Sequence, residues 1–86
     1  GAAAVRGRAT ALIRGGALRE AETLLDVIVA ADKKPKPDVA WLVANVKLGL
    51  GDLDSAREAL RECLKNAPKK AAYRPEAEAL LESLRG

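Results

Sequence analysis

Gly51-Asp52-Leu53-Asp54-Ser55-Ala56-Arg57-Glu58-Ala59-Leu60-Arg61-Glu62-Cys63-Leu64-Lys65-Asn66-Ala67-Pro68 is the stretch that decides the fold class. It opens on a turn pair, Gly51-Asp52, and closes on Pro68, which cannot continue a helix. Between them Leu53, Ala56, Leu60, Cys63, Leu64 and Ala67 recur at helical spacings, so one face of a helix over 54–66 is apolar. Asp52, Asp54 or Ser55 can cap its start, and Ser55 with Glu58 fits a capping box. Thirty-five residues upstream the pattern returns: Gly16, Leu18, Ala21 and Leu25 stand where Gly51, Leu53, Ala56 and Leu60 stand. A period of this length is the signature of stacked helical hairpins.

Working outward, residues 2–15 read as a first helix with Val5, Ala9, Leu12 and Ile13 on its apolar stripe. Gly7 weakens it by roughly 1 kcal/mol relative to Ala. Gly15-Gly16 turns the chain into a second helix over 18–31, whose inward face is Leu18, Ala21, Leu24, Leu25 and Ile28. Val27 and Val29 lie off that stripe and imply contact on a second side. The run Lys33-Lys34-Pro35-Lys36-Pro37 breaks the chain, and Pro37 or Asp38 opens a third helix over 38–50. This one is apolar nearly all round, with only Asn45 and Lys47 interrupting, and belongs at the centre of the domain. After Pro68 a basic turn leads to a fifth helix from Pro75 to about Leu84, buried along Ala77, Leu80, Leu81 and Leu84. Its polar outer side suits a helix that covers the end of a stack.

Composition agrees with an all-α chain. Apolar residues make up 49% of the 86, mostly Ala, Leu and Val, with one Trp, one Tyr and no Phe, Met or His. The 31% of charged residues sum to a formal net charge of only +3, but they are unevenly placed. Residues 1–19 hold Arg6, Arg8, Arg14 and Arg19 and no acid, and two turns form a basic edge of Lys33, Lys34, Lys36, Lys69, Lys70 and Arg74. Cys63 is alone, so it forms no internal disulfide, and its place on the apolar stripe reads as packing. No apolar run is long enough to span a bilayer. The start lacks a signal-peptide layout, and with a single unpaired cysteine this makes the cytoplasm the expected setting.

These residues resemble the tetratricopeptide repeat, which alternates two antiparallel helices over about thirty-four residues. Gly51-Asp52, Ala56, Leu60 and Pro68 follow the pattern of its second half, as do Gly16, Ala21 and Leu25 in the first copy. Ala44 and Ala9 stand at the small close-packing site of its first helix. Trp41 lies one residue from the family's usual Trp, and Arg8 and Lys47 stand where apolar residues are usual. The resemblance implies a right-handed α-hairpin solenoid of five antiparallel helices in a single domain over 1–86. Repeat one covers about 2–36, repeat two about 37–70, and a capping helix about 75–85. Two repeats and a cap lie near the lower limit of what stacks stably.

Catalysis finds no support in the residues. There is no histidine, no base beside Ser55 or Ser83, no metal-ligand spacing and no phosphate loop. The expectation is a protein that is not an enzyme and carries no cofactor. In a curved stack the first helix of each hairpin lines the concave side. This puts Arg6, Thr10, Ile13 and Arg14 of the first helix in one groove with Asp38, Trp41, Asn45 and Leu48 of the third. Such a groove fits a peptide or helix of a partner protein: the indole supplies area, Asn45 bonds backbone, and the arginines meet carboxylates. The expected role is therefore an adaptor or scaffold that binds another protein, with an acidic bound segment suiting the arginines. Two alternatives stand beside it: self-assembly through Val5, Leu12 and Ile13, and binding of an anionic partner along the basic edge. Nucleic acid is disfavoured, because Tyr73 is the only candidate for base stacking on that edge.

Overall fold

The computed structural model describes residues 2–32 and 36–85, and five α-helices follow one another along them. They are α1 (Ala2–Arg14), α2 (Leu18–Ala31), α3 (Pro37–Gly49), α4 (Leu53–Asn66) and α5 (Arg74–Ser83). No strand occurs among the described residues. The chain is all-α, with each helix starting and ending within about a residue of the bounds read from periodicity, Pro and Gly.

The repeat seen in the sequence is present in the backbone. Ala2 and Pro37, Arg14 and Gly49, Leu18 and Leu53, and Ala31 and Asn66 bound the first four helices, and each pair is 35 residues apart. The two inter-helix turns are alike atom for atom. Gly16 N donates to Ile13 O at 3.1 Å and Ala17 N to Leu12 O at 2.9 Å; Gly51 N donates to Leu48 O at 3.1 Å and Asp52 N to Lys47 O at 2.9 Å. This is the Schellman ending, in which a left-handed residue turns the chain back over the last carbonyls. Gly16 and Gly51 take that conformation, both at φ 81°. The turns bring α1 against α2 and α3 against α4, two helical hairpins. At the start of α4 it is Asp52, of the three candidates, that caps: its Oδ1 accepts from Ser55 N at 3.2 Å.

The glycine turns and Gly7 make opposite predictions. A Cβ at Gly16 or Gly51 would meet no atom, so Ala there suffers only the backbone strain of positive φ, about 1–2 kcal/mol. Gly7 sits inside α1, also with open space beside it, and Ala there should gain about 1 kcal/mol of helix propensity. Urea unfolding of the three variants measures both signs.

Each helix packs on the next, and α1 also meets α3. α3 is central, as expected, and divides the core in two. On one side Ala9, Ala21, Leu25, Val39 and Val46 are buried, with Leu12, Ile13, Leu24, Ile28, Leu42, Val43 and Leu50 around them. On the other side Ala44, Leu60 and Ala77 are buried, flanked by Trp41, Ala59, Leu64, Leu80, Leu81 and Leu84. The alanines 35 apart, Ala9 with Ala44 and Ala21 with Ala56, are all fully buried. Side chains this small let the two helices of a hairpin approach closely. Lys47, out of place in the family pattern, has a partner on the neighbouring hairpin: its Nζ lies 2.7 Å from Glu22 Oε2. The ammonium holds the Glu22 carboxyl below its ordinary range, and Glu22 holds Lys47 above its own.

α4 and α5 brace each other through their ends. Arg57, near the start of α4, donates to Leu84 O at 3.1 Å, closing the C-terminal end of α5. Arg74, at the start of α5, donates to Leu64 O at 3.3 Å and Ala67 O at 2.8 Å, closing that of α4. A cation on the last carbonyls of a helix is favourable both as a hydrogen bond and against the helix dipole. The radius of gyration is 12.0 Å, with extents of 32 × 26 × 22 Å, the size of a compact domain of this length.

Three apolar residues lie otherwise than the sequence suggested. Val27 is 64% exposed, Val29 37% and Leu53 45%. Val27 and Val29 stay exposed although α2 packs against both α1 and α3. Leu53 is the first residue of α4, where the helix has just left its turn.

Candidate functional site

α1 and α3 run side by side, and the seam between them is hollowed. One hollow, of about 370 Å³, is lined by Arg6, Gly7, Thr10, Asp38, Trp41, Leu42, Ala72 and Tyr73. A second, of about 320 Å³, is lined by Thr10, Ile13, Arg14, Trp41, Leu42, Asn45 and Glu76. They share Thr10, Trp41 and Leu42, so they are consecutive parts of one groove. From Arg6 to Arg14 it runs for about 12 Å along α1, enough for two helical turns or four extended residues. Seven of the eight residues expected in a groove line it: Arg6, Thr10, Ile13, Arg14, Asp38, Trp41 and Asn45. Leu48 does not; it is half-buried near the end of α3.

The aromatic floor is Trp41 together with Tyr73. The two rings stack with centroids 5.7 Å apart and planes 14° apart. Tyr73 Oη donates to Asp38 Oδ1 at 3.0 Å. Trp41 also packs against the core between α3, α4 and α5, so one side chain both lines the hollow and fills space beside Ala44, Leu60 and Ala77. Its indole N–H has no acceptor among the described residues and is not a buried donor lacking a partner, so solvent reaches it.

The polar groups divide into engaged and free. Thr10 Oγ1 donates to Arg6 O at 3.0 Å, and Asn45 Nδ2 donates to Trp41 O at 2.8 Å. These are the same i−4 bond in positions 35 apart, and they hold the two side chains against their own helices. Asn45 therefore meets a ligand only through its Oδ1 and its second amide hydrogen. Arg6 and Arg14 on the α1 wall and Glu76 on the α5 side form no ion pair among the described residues. The groove is thus apolar along its floor, basic on one wall and acidic at Asp38 and Glu76.

Ala72, Tyr73 and Glu76 were absent from the sequence-derived groove. The signal for them was in the period: 35 residues after Pro37, Asp38 and Trp41 come Ala72, Tyr73 and Glu76. Glu76 holds in α5 the position of Trp41 in α3 and of Arg6 in α1. The helix read as a plain cap therefore also supplies Glu76 to the groove, and the turn before it supplies Ala72 and Tyr73.

Burial, first, and then the Asp38 carboxylate push the Tyr73 phenol up to about 12. The folded value lies above the ordinary one of about 10, so this docking is fully present below pH 10 or so and fades as pH rises through the folded value. With a single tyrosine in the chain, tyrosinate absorbance reads it directly. A midpoint near 12 is the expected result, and one near 10 would mean that Tyr73 does not sit on Trp41 and Asp38.

The other expected sites fare differently. On the basic edge Lys36, Lys69 and Lys70 are exposed, while Lys33 and Lys34 lie outside the described residues. Arg74 does not project along that edge, because its guanidinium turns back onto the α4 carbonyls. Of the trio read as a self-assembly face, Leu12 and Ile13 point to different hollows, Ile13 into the groove and Leu12 to the far side of α1. Cys63 is fully buried, and burial raises its thiol, as befits a packing residue. Among the described residues no helix is long and apolar enough to cross a membrane.

No family model, curated protein or solved structure matches this chain. What the fold and the groove define is a class: an all-α protein of consecutive helical hairpins with an amphipathic groove along its α1–α3 seam.

Proposed function

We propose that the chain is a protein–protein interaction module, not an enzyme, and that the α1–α3 groove holds a short segment of a partner protein. The observation that carries this reading is the convergence of Trp41, Tyr73, Leu42 and the unpaired Arg6 and Arg14 on one continuous hollow. An occupant joining a large apolar side chain to carboxylates matches that surface. The walls are fixed before binding by the Thr10 and Asn45 bonds, the Tyr73 latch and the α4–α5 braces, so little entropy is lost on association. The repetition at 35 residues supports a tetratricopeptide-like right-handed solenoid of two repeats and a closing helix, in which this seam is the concave side. Such a module acts as an adaptor.

A displayed library of random peptides of about 12 residues tests the reading, since that length exceeds the groove in either conformation. Enriched sequences should combine an aromatic or branched residue with acids. Their affinity should fall about tenfold or more on Arg14→Glu, which reverses an exposed groove charge, and stay unchanged on Glu58→Lys on the outer side of α4. Peptides that bind both variants as well as the parent chain, or no enrichment at all, would remove the groove from the account.

A further inference from the structure

The side of α1 turned away from the groove carries a second hollow, of about 340 Å³, lined by Arg8, Leu12, Glu20, Thr23, Leu24 and Val27. Its floor is apolar, and Val27, 64% exposed, is the most exposed large hydrophobic residue among those described. The corresponding face of α3 is covered, since Val43, Val46 and Lys47 meet Glu22, Leu25 and Asp26 of α2. Subtracting 35 from Val43 and Lys47 gives Arg8 and Leu12, so the chain covers this face on one hairpin and leaves it open on the other. The hollow has an arginine on its α1 rim and a glutamate on its α2 rim, yet Arg8 and Glu20 form no ion pair with each other or with any described residue.

We propose that this face pairs with the same face of a second copy of the chain about a two-fold axis. In an isologous contact residue i meets j while j meets i. Laying α1 of one copy over α2 of the other sets Arg8 against Glu20 twice and closes Leu12 of each copy against Leu24 and Val27 of the other. A patch with one charge of each sign flanking an apolar centre is complementary to itself, which a patch of one sign is not. The dimer leaves the α1–α3 groove of both copies open, because that groove lies on the other side of α1. Helices of this length, about 20 Å, give a small interface and therefore weak, reversible association.

Sedimentation equilibrium of the whole chain from about 10 to 500 µM, the range of a small interface, reads it. The mass should rise from 9.1 kDa toward twice that value. Arg8→Glu and Glu20→Lys each place like charges in contact twice and should weaken association about a hundredfold, leaving each variant a monomer. Mixed in equal amounts, the two variants carry opposite charges at both rims, and the dimer mass should return. Val27→Ser, tolerated by the monomer because the residue is exposed, should also abolish the rise. A parent chain that stays at 9.1 kDa throughout overturns the proposal; so does a dimer that the charge reversals leave intact, or a mixture that stays monomeric.

Discussion

Leu60→Ala is expected to lower the unfolding free energy by about 3–5 kcal/mol, the range for a leucine removed from a site that cannot collapse around the cavity. Leu60 is fully buried, and it sits with Ala44 of α3 and Ala77 of α5 in the core between the last three helices. Its neighbours there include two alanines, which have no longer side chain to move into the gap. A domain of this size has about 4–13 kcal/mol of total stability, so the variant should be close to half unfolded in mild urea at 25 °C. Leu25, 35 residues earlier and 1% exposed, occupies the same position in the first core. Leu25→Ala should cost a similar amount if the two hairpins are equivalent units. A loss below about 1 kcal/mol in either variant would show that its core is not packed as described.

Trp41→Ala is the second large effect, and it should act on stability and binding together. The side chain is half-buried, so the expected loss is about 2–3 kcal/mol, less than for a fully buried Trp. The stack on Tyr73 disappears with it, and with the stack goes part of the attachment of α5. The Tyr73 midpoint should then move from about 12 back toward its ordinary value. Trp41→Phe separates the two roles. A phenyl ring keeps most of the apolar contact and a stacked partner for Tyr73, and should cost about 1 kcal/mol. It lacks the indole N–H, so peptide affinity should fall while the helical spectrum and the Tyr73 midpoint stay near those of the parent. A Phe variant that binds as well as the parent would make Trp41 a packing residue alone.

Most of the architecture was legible because its causes are local. Pro37, Pro68 and Pro75 and the two positive-φ glycines mark where helices must begin or stop, and the stripes of Leu and Ala mark which faces must be covered. The central place of α3 followed from its having almost no polar side. Exposure of Val27, Val29 and Leu53 was not legible for a different reason. An apolar residue off the main stripe says that contact would be favourable, but only the arrangement of neighbours decides whether contact is made. The groove was read from α1 and α3 because each is the first helix of a hairpin, the one that lines the concave side of a curved stack. Its third wall was missed because the period was followed only as far as Pro68; carried one step further it leads from Asp38 to Tyr73 and from Trp41 to Glu76. Arg74 looked like one more cation in a basic turn. Its role is set by the path of residues 67–73, which brings its guanidinium within 2.8 Å of Ala67 O, and no spacing rule encodes that path.

The two faces of α1 give this helix a double importance. One face, through Arg6, Thr10 and Arg14, belongs to the groove; the other, through Arg8 and Leu12, belongs to the proposed contact between copies. Charge reversals at Arg8 should leave peptide binding unchanged, and reversals at Arg14 should leave the sedimenting mass unchanged, so the two proposals stand or fall separately.

The most direct measurement of the groove as a binding surface is a titration of the isotope-labelled chain with an enriched peptide, followed by amide and indole resonances. The chain has one tryptophan, so a single indole N–H signal reports from the middle of the groove. That signal should shift together with the amides around Thr10, Asn45 and Glu76, while those of the outer side of α4 stay in place. Shifts confined to α2 and α4, with the indole signal unmoved at saturation, would contradict the account.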